Sequence, residues 1–159
     1  QDMKTINLKD ILSISGKGGL YKYIAQARNG IVVESIEDKK RHVEPATARI
    51  SSLEDIAIFT SKEEVPLSDI FFRIHEKTGG GKAISHKSPG QDLKDQFEEL
   101  VPDYDPERVY VSDIKKVFQW YNQLQEHSLL EVKEKTGEEE EESEKKEEES
   151  EKKEEETDN

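Results

Sequence analysis

The chain has 159 residues, no cysteine and a formal net charge of −13 at pH 7. The lack of cysteine excludes disulfides, thiolate catalysis and zinc sites of the cysteine type. No stretch approaches the roughly 18 apolar residues of a membrane-spanning helix, so no membrane anchor of that kind is expected.

The charge is unevenly placed. Residues 137–159 hold 14 acidic residues and four lysines, and not one apolar side chain. They account for −10 of the total, which leaves −3 for residues 1–136. Every apolar side chain falls within residues 3–132. A near-neutral body capable of a core is therefore followed by a polyelectrolyte. The tail repeats Ser-Glu-Lys-Lys-Glu-Glu-Glu at 143–149 and 150–156. Its Glu-to-Lys pairs four residues apart allow transient helix, but without apolar seam positions it cannot form a coiled coil. Disorder over 137–159 is the expectation. Near the amino terminus, Lys4, Lys9 and Asp10 stand where a signal peptide needs an apolar run, and the expected location is the cytoplasm.

Residues 8–62 read as short strands. Ile11-Leu12-Ser13-Ile14-Ser15 is an apolar run ended by Gly16-Lys17-Gly18-Gly19. Residues 20–27 alternate, with Tyr21 and Tyr23 sharing one face. Arg28-Asn29-Gly30 suits a tight hairpin with positive φ, and Ile31-Val32-Val33-Glu34-Ser35-Ile36 is the β-branched return strand. Arg41-His42-Val43 is a further strand, cut off by Pro45, which cannot donate to a ladder. Residues 49–53 and 56–60 complete the set. Tight turns and short strands predict a small antiparallel SH3-like β-barrel, with an open meander as the alternative.

The period then changes. Pro66 opens a connecting helix over 65–78, with Leu67, Ile70, Phe71 and Ile74 on one face. Residues 79–90, rich in glycine, read as a flexible linker. A helical domain over 91–136 follows. Its first helix turns Leu93, Phe97 and Leu100 inward. Its second is capped by Ser112 and buries Ile114, Val117, Phe118, Tyr121 and Leu124. The fold class is thus α+β: a small barrel, a helical part and an acidic tail.

Each chemical motif reads better as structure. Lys77-Thr78-Gly79-Gly80-Gly81-Lys82-Ala83 lacks the first glycine and the Ser or Thr of a phosphate loop. The loop of residues 16–19 can offer amides to an anion, but it lies between strands and reads as a turn. Asp103, Asp105 and Glu107 have calcium-loop spacing without the glycine and the final glutamate. His42, His75, His86 and His127 make no metal spacing. No catalytic, cofactor or metal residues can be named, so an enzyme is not expected.

Four features suggest recognition instead. Lys39, Lys40 and Arg41 form a basic cluster at a hairpin turn, suited to phosphate or an acidic partner. Tyr21 and Tyr23 are either core or a stacking face. Trp120 stands at the rim of the last helix, either as boundary core or as an anchor for a partner. The acidic tail tunes association. The resulting expectation is a non-enzymatic interaction or adaptor module that binds another protein. The alternative is a nucleic-acid-associated regulator that uses Lys39, Lys40 and Arg41, with the tail as competitor.

Two segments carry a resemblance: Ile14-Ser15-Gly16-Lys17-Gly18-Gly19-Leu20-Tyr21-Lys22, and Pro102-Asp103-Tyr104-Asp105 with Arg108-Val109-Tyr110-Val111-Ser112-Asp113-Ile114-Lys115-Lys116. They resemble a family of short, uncharacterised bacterial proteins classed as a domain of unknown function, over most of residues 8–125. The resemblance implies a bacterial, cytoplasmic, two-part protein and transfers no catalytic residue.

Overall fold

The computed structural model describes residues 3–135; the expected tail over 137–159 lies outside them. The fold is α+β, as the patterning predicts. Strands β2 (Ile11–Ile14), β3 (Tyr21–Ala27), β4 (Gly30–Ser35) and β5 (Arg41–Pro45) form an antiparallel meander. Strand β6 (Ile50–Ser52) returns to pair with β2, which gives the order β5-β4-β3-β2-β6. The two edge strands do not pair, so the expected SH3-like barrel is not closed. The cause lies in the next segment. Leu53 enters the main core from a 3-10 turn over Leu53–Asp55. The strand expected to complete the barrel, β7 (Ala57–Phe59), then pairs with β8 (Glu64–Pro66). Before the meander, β1 (Lys4–Ile6) stands apart from this sheet.

Two local expectations change for steric reasons. The β3–β4 hairpin does not use positive φ at Asn29 or Gly30. Gly30 is needed for proximity: a Cβ there would lie 1.9 Å from the Glu44 carbonyl oxygen of β5. Strand β5 also runs on through Pro45, which is tolerated because that strand lies at the sheet's edge.

Helix α1 (Leu67–Thr78) buries Leu67, Ile70, Phe71, Phe72 and Ile74. It ends at Gly79 in the left-handed region, φ 63°, where the Gly79 and Gly80 N–H groups donate to the Glu76 and His75 carbonyls. Helix α2 (Gly90–Leu100) turns Leu93, Phe97 and Leu100 inward. Helix α3 (Val111–Glu126) starts earlier than expected, with Tyr110 rather than Ser112 at its cap position. Asp113 Oδ2 accepts from the Tyr110 N–H at 2.9 Å, so a carboxylate one turn in does the capping.

The helices and the sheet share one core. Ile11, Leu20 and Ile36 of the sheet segment cluster with Phe71, Phe97, Phe118 and Tyr121. Edge-to-face ring contacts, Phe71 to Tyr121 at 5.8 Å and Phe97 to Phe118 at 6.4 Å, tie the three helices together. A smaller cluster of Leu12, Ile14 and Val33 lies apart from it, covered by Tyr21, Tyr23, Ile31 and Ile50. The stretch 79–90, expected as a flexible linker, is fastened to α3. The Asn122 carboxamide accepts from the Ala83 N–H at 2.7 Å and donates to the Ala83 and Ile84 carbonyls, and Tyr121 Oη donates to the Gly81 carbonyl at 3.1 Å.

The chain ends were not legible as strands. Strand β1 pairs with β9 (Val132–Glu134) across the whole length of the described chain. Both ends close on Asp69, which accepts from Thr5 Oγ1 at 2.9 Å and from Lys135 Nζ at 2.9 Å.

Replacement of Gly30 by alanine must push β5 away from β4. We expect a loss of about 1–3 kcal/mol in urea unfolding. Gly18→Ala, where an added Cβ meets nothing within 4 Å, serves as the control and should leave the midpoint nearly unchanged.

Candidate binding groove

The failure of the sheet to close leaves a cleft of about 740 Å³ between its β2–β6 end and helix α3. One wall is Ser13, Arg49 and Ser51 together with the loop of residues 16–19. The opposite wall is Phe59, Arg108, Lys116 and Trp120. The floor is apolar: Ile58, Leu67, Val109 and Val117 line it and are at most 7% exposed. Such a mixture of apolar floor and a few convergent polar groups is typical of binding clefts.

Each wall is held by identifiable contacts. Gly19, at φ 82°, lies against α3, where an added Cβ would meet Gln123 Nε2 at 3.1 Å. The same Gln123 Nε2 donates to Glu37 Oε1 at 3.0 Å, which seats the sheet's turns on the helix. On the other wall, the Arg108 guanidinium lies 5.2 Å from the centre of the Phe59 ring, and its Nε is 3.2 Å from Asp105 Oδ2. Asp105 is further committed to its turn, accepting from the Glu107 N–H at 2.9 Å. The turn reading of Asp103, Asp105 and Glu107 therefore fits the geometry.

Electrostatically the cleft is basic. Lys17, Arg49, Arg108 and Lys116 line it against a single acid, Asp113. Lys17 is also bonded to Glu44, a carboxylate only 3% exposed on β5. His42 Nε2 lies 2.6 Å from the same Glu44 oxygen. A carboxylate only accepts, so Nε2 carries the proton there. The hydrogen bond from Lys17 holds the Glu44 carboxyl below its ordinary 4.5, against the opposing effect of burial, with His42 helping. The same bond raises the Lys17 ammonium above its ordinary 10.5. A buried anion on the sheet thus tethers the loop that forms one lip of the cleft.

The residues singled out from the sequence are dispersed. Trp120 lines the cleft, half-buried and packed on the main core. Tyr21 and Tyr23 cover the smaller cluster instead, and the Tyr21 ring meets His42 edge-on at 5.6 Å. Lys39, Lys40 and Arg41 stay at their hairpin, where Arg41 Nε lies 3.8 Å from Glu34; none of the three lines the cleft. The residues that sequence reasoning missed, Arg49, Phe59, Arg108 and Lys116, are spread along the chain with no common spacing. Of the cleft residues, only the glycine turn at 16–19 and Trp120 gave a local signal.

Comparison with known proteins divides the chain at this cleft. Residues 8–53 match a family model described as Domain of unknown function (DUF5606). Residues 56–124 match a second, described as Domain of unknown function (DUF6852). A solution NMR structure of a Bacteroides vulgatus protein, a structural-genomics target, is 43% identical, covers 79% of this chain and 90% of its own, and superposes with a TM-score of 0.67. No curated protein matches. The chain belongs to the bacterial family that these two models of unknown function and the Bacteroides vulgatus protein represent. One wall of the cleft comes from the first matched region and the other from the second.

The Lys17–Glu44 bond has a calculable pH signature. Glu44 is depressed in the folded state, so its contribution is complete above the ordinary carboxylate value and is lost as pH falls through the lower folded value. Lys17→Met removes the main cause of that depression. Its acid-unfolding midpoint, followed by circular dichroism, should move to higher pH; an unmoved midpoint would show that Lys17 does not hold Glu44.

Proposed function

We propose that this protein is a cytoplasmic, non-enzymatic adaptor that docks a segment of another protein in the cleft between the β2–β6 end of the sheet and α3. The observation that carries this reading is the cleft itself: an apolar floor, a half-buried indole and a basic rim, formed where the two matched regions meet. Trp, with its large apolar body and polar tip, is a frequent anchor of protein interfaces. Phe59 is 40% exposed beside it on the same wall, which leaves apolar surface for a partner to cover.

The nucleic-acid alternative would use the basic turn, where Lys39 and Lys40 are exposed and Arg41 Nε lies 3.8 Å from Glu34. Phosphate affinity rests on basic excess, and residues 1–136 carry −3. The protein-docking reading is therefore preferred.

Photo-crosslinking in the native cells tests it. Benzoylphenylalanine at Gln119, on the cleft wall, should yield discrete protein adducts. The same group at Asp92, exposed on α2, should not. Equal adducts from both positions, or none from Gln119, would count against the proposal.

A further inference from the structure

We infer that the occupant of this cleft is an acidic segment of the partner protein that carries a bulky apolar side chain between its carboxylates. The inference rests on the docking reading and specifies the chemistry of the docked segment. Two observations on opposite sides of the cleft lead to it.

The first is the state of the rim cations. Lys17 is engaged by Glu44 and Arg108 by Asp105. Arg49 and Lys116 are exposed and have no carboxylate partner among the described residues. One precedes β6 and the other lies on α3, so they face the cleft from its two walls. A segment lying between them meets a cation on each side, and carboxylates are the complementary groups.

The second is the floor. Ile58, Leu67, Val109 and Val117 lie beneath this rim, with Trp120 beside them. A ligand that offers only charge leaves this floor against water, and one that is only apolar leaves the cations without a partner. Both are used when an apolar side chain points down and acidic neighbours point to the walls. This separates the occupant from the chain's own residues 137–159, whose 14 acids have no apolar side chain among them. That segment complements the rim and not the floor, so it is a weak competitor. Nucleic acid depends on a basic excess over the whole surface, which a body of net charge −3 does not supply.

The test uses the full chain, with Trp120 emission and titration calorimetry at low salt. Four probes of roughly ten residues or nucleotides are compared: a peptide alternating glutamate with leucine and phenylalanine, an all-acidic peptide copied from the chain's tail, a neutral peptide with the same apolar residues, and oligothymidylate. The mixed peptide should bind at least about tenfold tighter than the other three. Its affinity should fall at least about tenfold in the Arg49→Glu, Lys116→Glu double variant. Both positions are exposed, and an unchanged thermal unfolding curve verifies that the variant folds. Equal affinity for the all-acidic or neutral peptide, indifference to the charge reversal, or no binding of any peptide would overturn the inference. Loss of the mixed peptide alongside discrete protein adducts from Gln119 would sink this chemistry and leave docking standing. Preference for oligothymidylate would sink both.

Discussion

The structure depends on burying helix α1 from several directions. Strand β1, the 3-10 turn, strand β8 and helix α2 all pack on it. Five of its apolar side chains are buried, and Phe71 and Ile70 are fully enclosed. In its first turn Asp69 is almost as well covered, at 8% exposure. A carboxylate in the first turn of a helix is favoured by the helix dipole, but one this deep also needs donors. Thr5 and Lys135 supply them from the two ends of the described chain. Pairing of β1 with β9 is thus joined to the helix by a polar contact, and the sheet segment and the helices are one packed unit.

That unit explains why the sheet stays open. A small antiparallel sheet is stable as a closed barrel or against another layer. Here Ile11, Leu20 and Ile36 join the helical core, so the sheet is covered without closing. The unclosed end is where the cleft forms. The smaller cluster around Val33 lies apart from that core; His42 stands opposite Val33, and with Lys17 it holds the Glu44 carboxylate of β5. A buried carboxylate is costly unless paired. Lys17 satisfies it from the loop that also forms one lip of the cleft, so the position of that lip is coupled to the interior of the sheet.

The cleft brings together residues of one sign. The four cations come from four separate places in the chain, against one acid. The rest of residues 1–136 is net acidic. A local basic trough on such a body gives selectivity through orientation, because the field of the whole neither attracts polyanions strongly nor opposes a short acidic segment at close range.

Much of this was written locally. The strands over 20–27 and 31–36 and the helical stripes of α1, α2 and α3 fall where periodicity puts them, although a register shift between Tyr23 and Ala25 interrupts the alternation expected of β3. The charge division at residue 137 needs no structure at all. The pairings did not follow from local pattern. Strands of three residues such as β1, β8 and β9 carry too little period to be seen, and β1 and β9 find each other from opposite ends of the described chain. Nor could composition foretell that Ala83 and Ile84 are pinned by Asn122, or that the sheet stays open while β7 pairs with β8. The sequence by itself determined which residues must leave water and which stretch never could. Only the tertiary structure decided which surfaces met, and so placed Arg49, Phe59, Arg108, Lys116 and Trp120 around one cleft, since that juxtaposition depends on long-range packing and not on spacing along the chain.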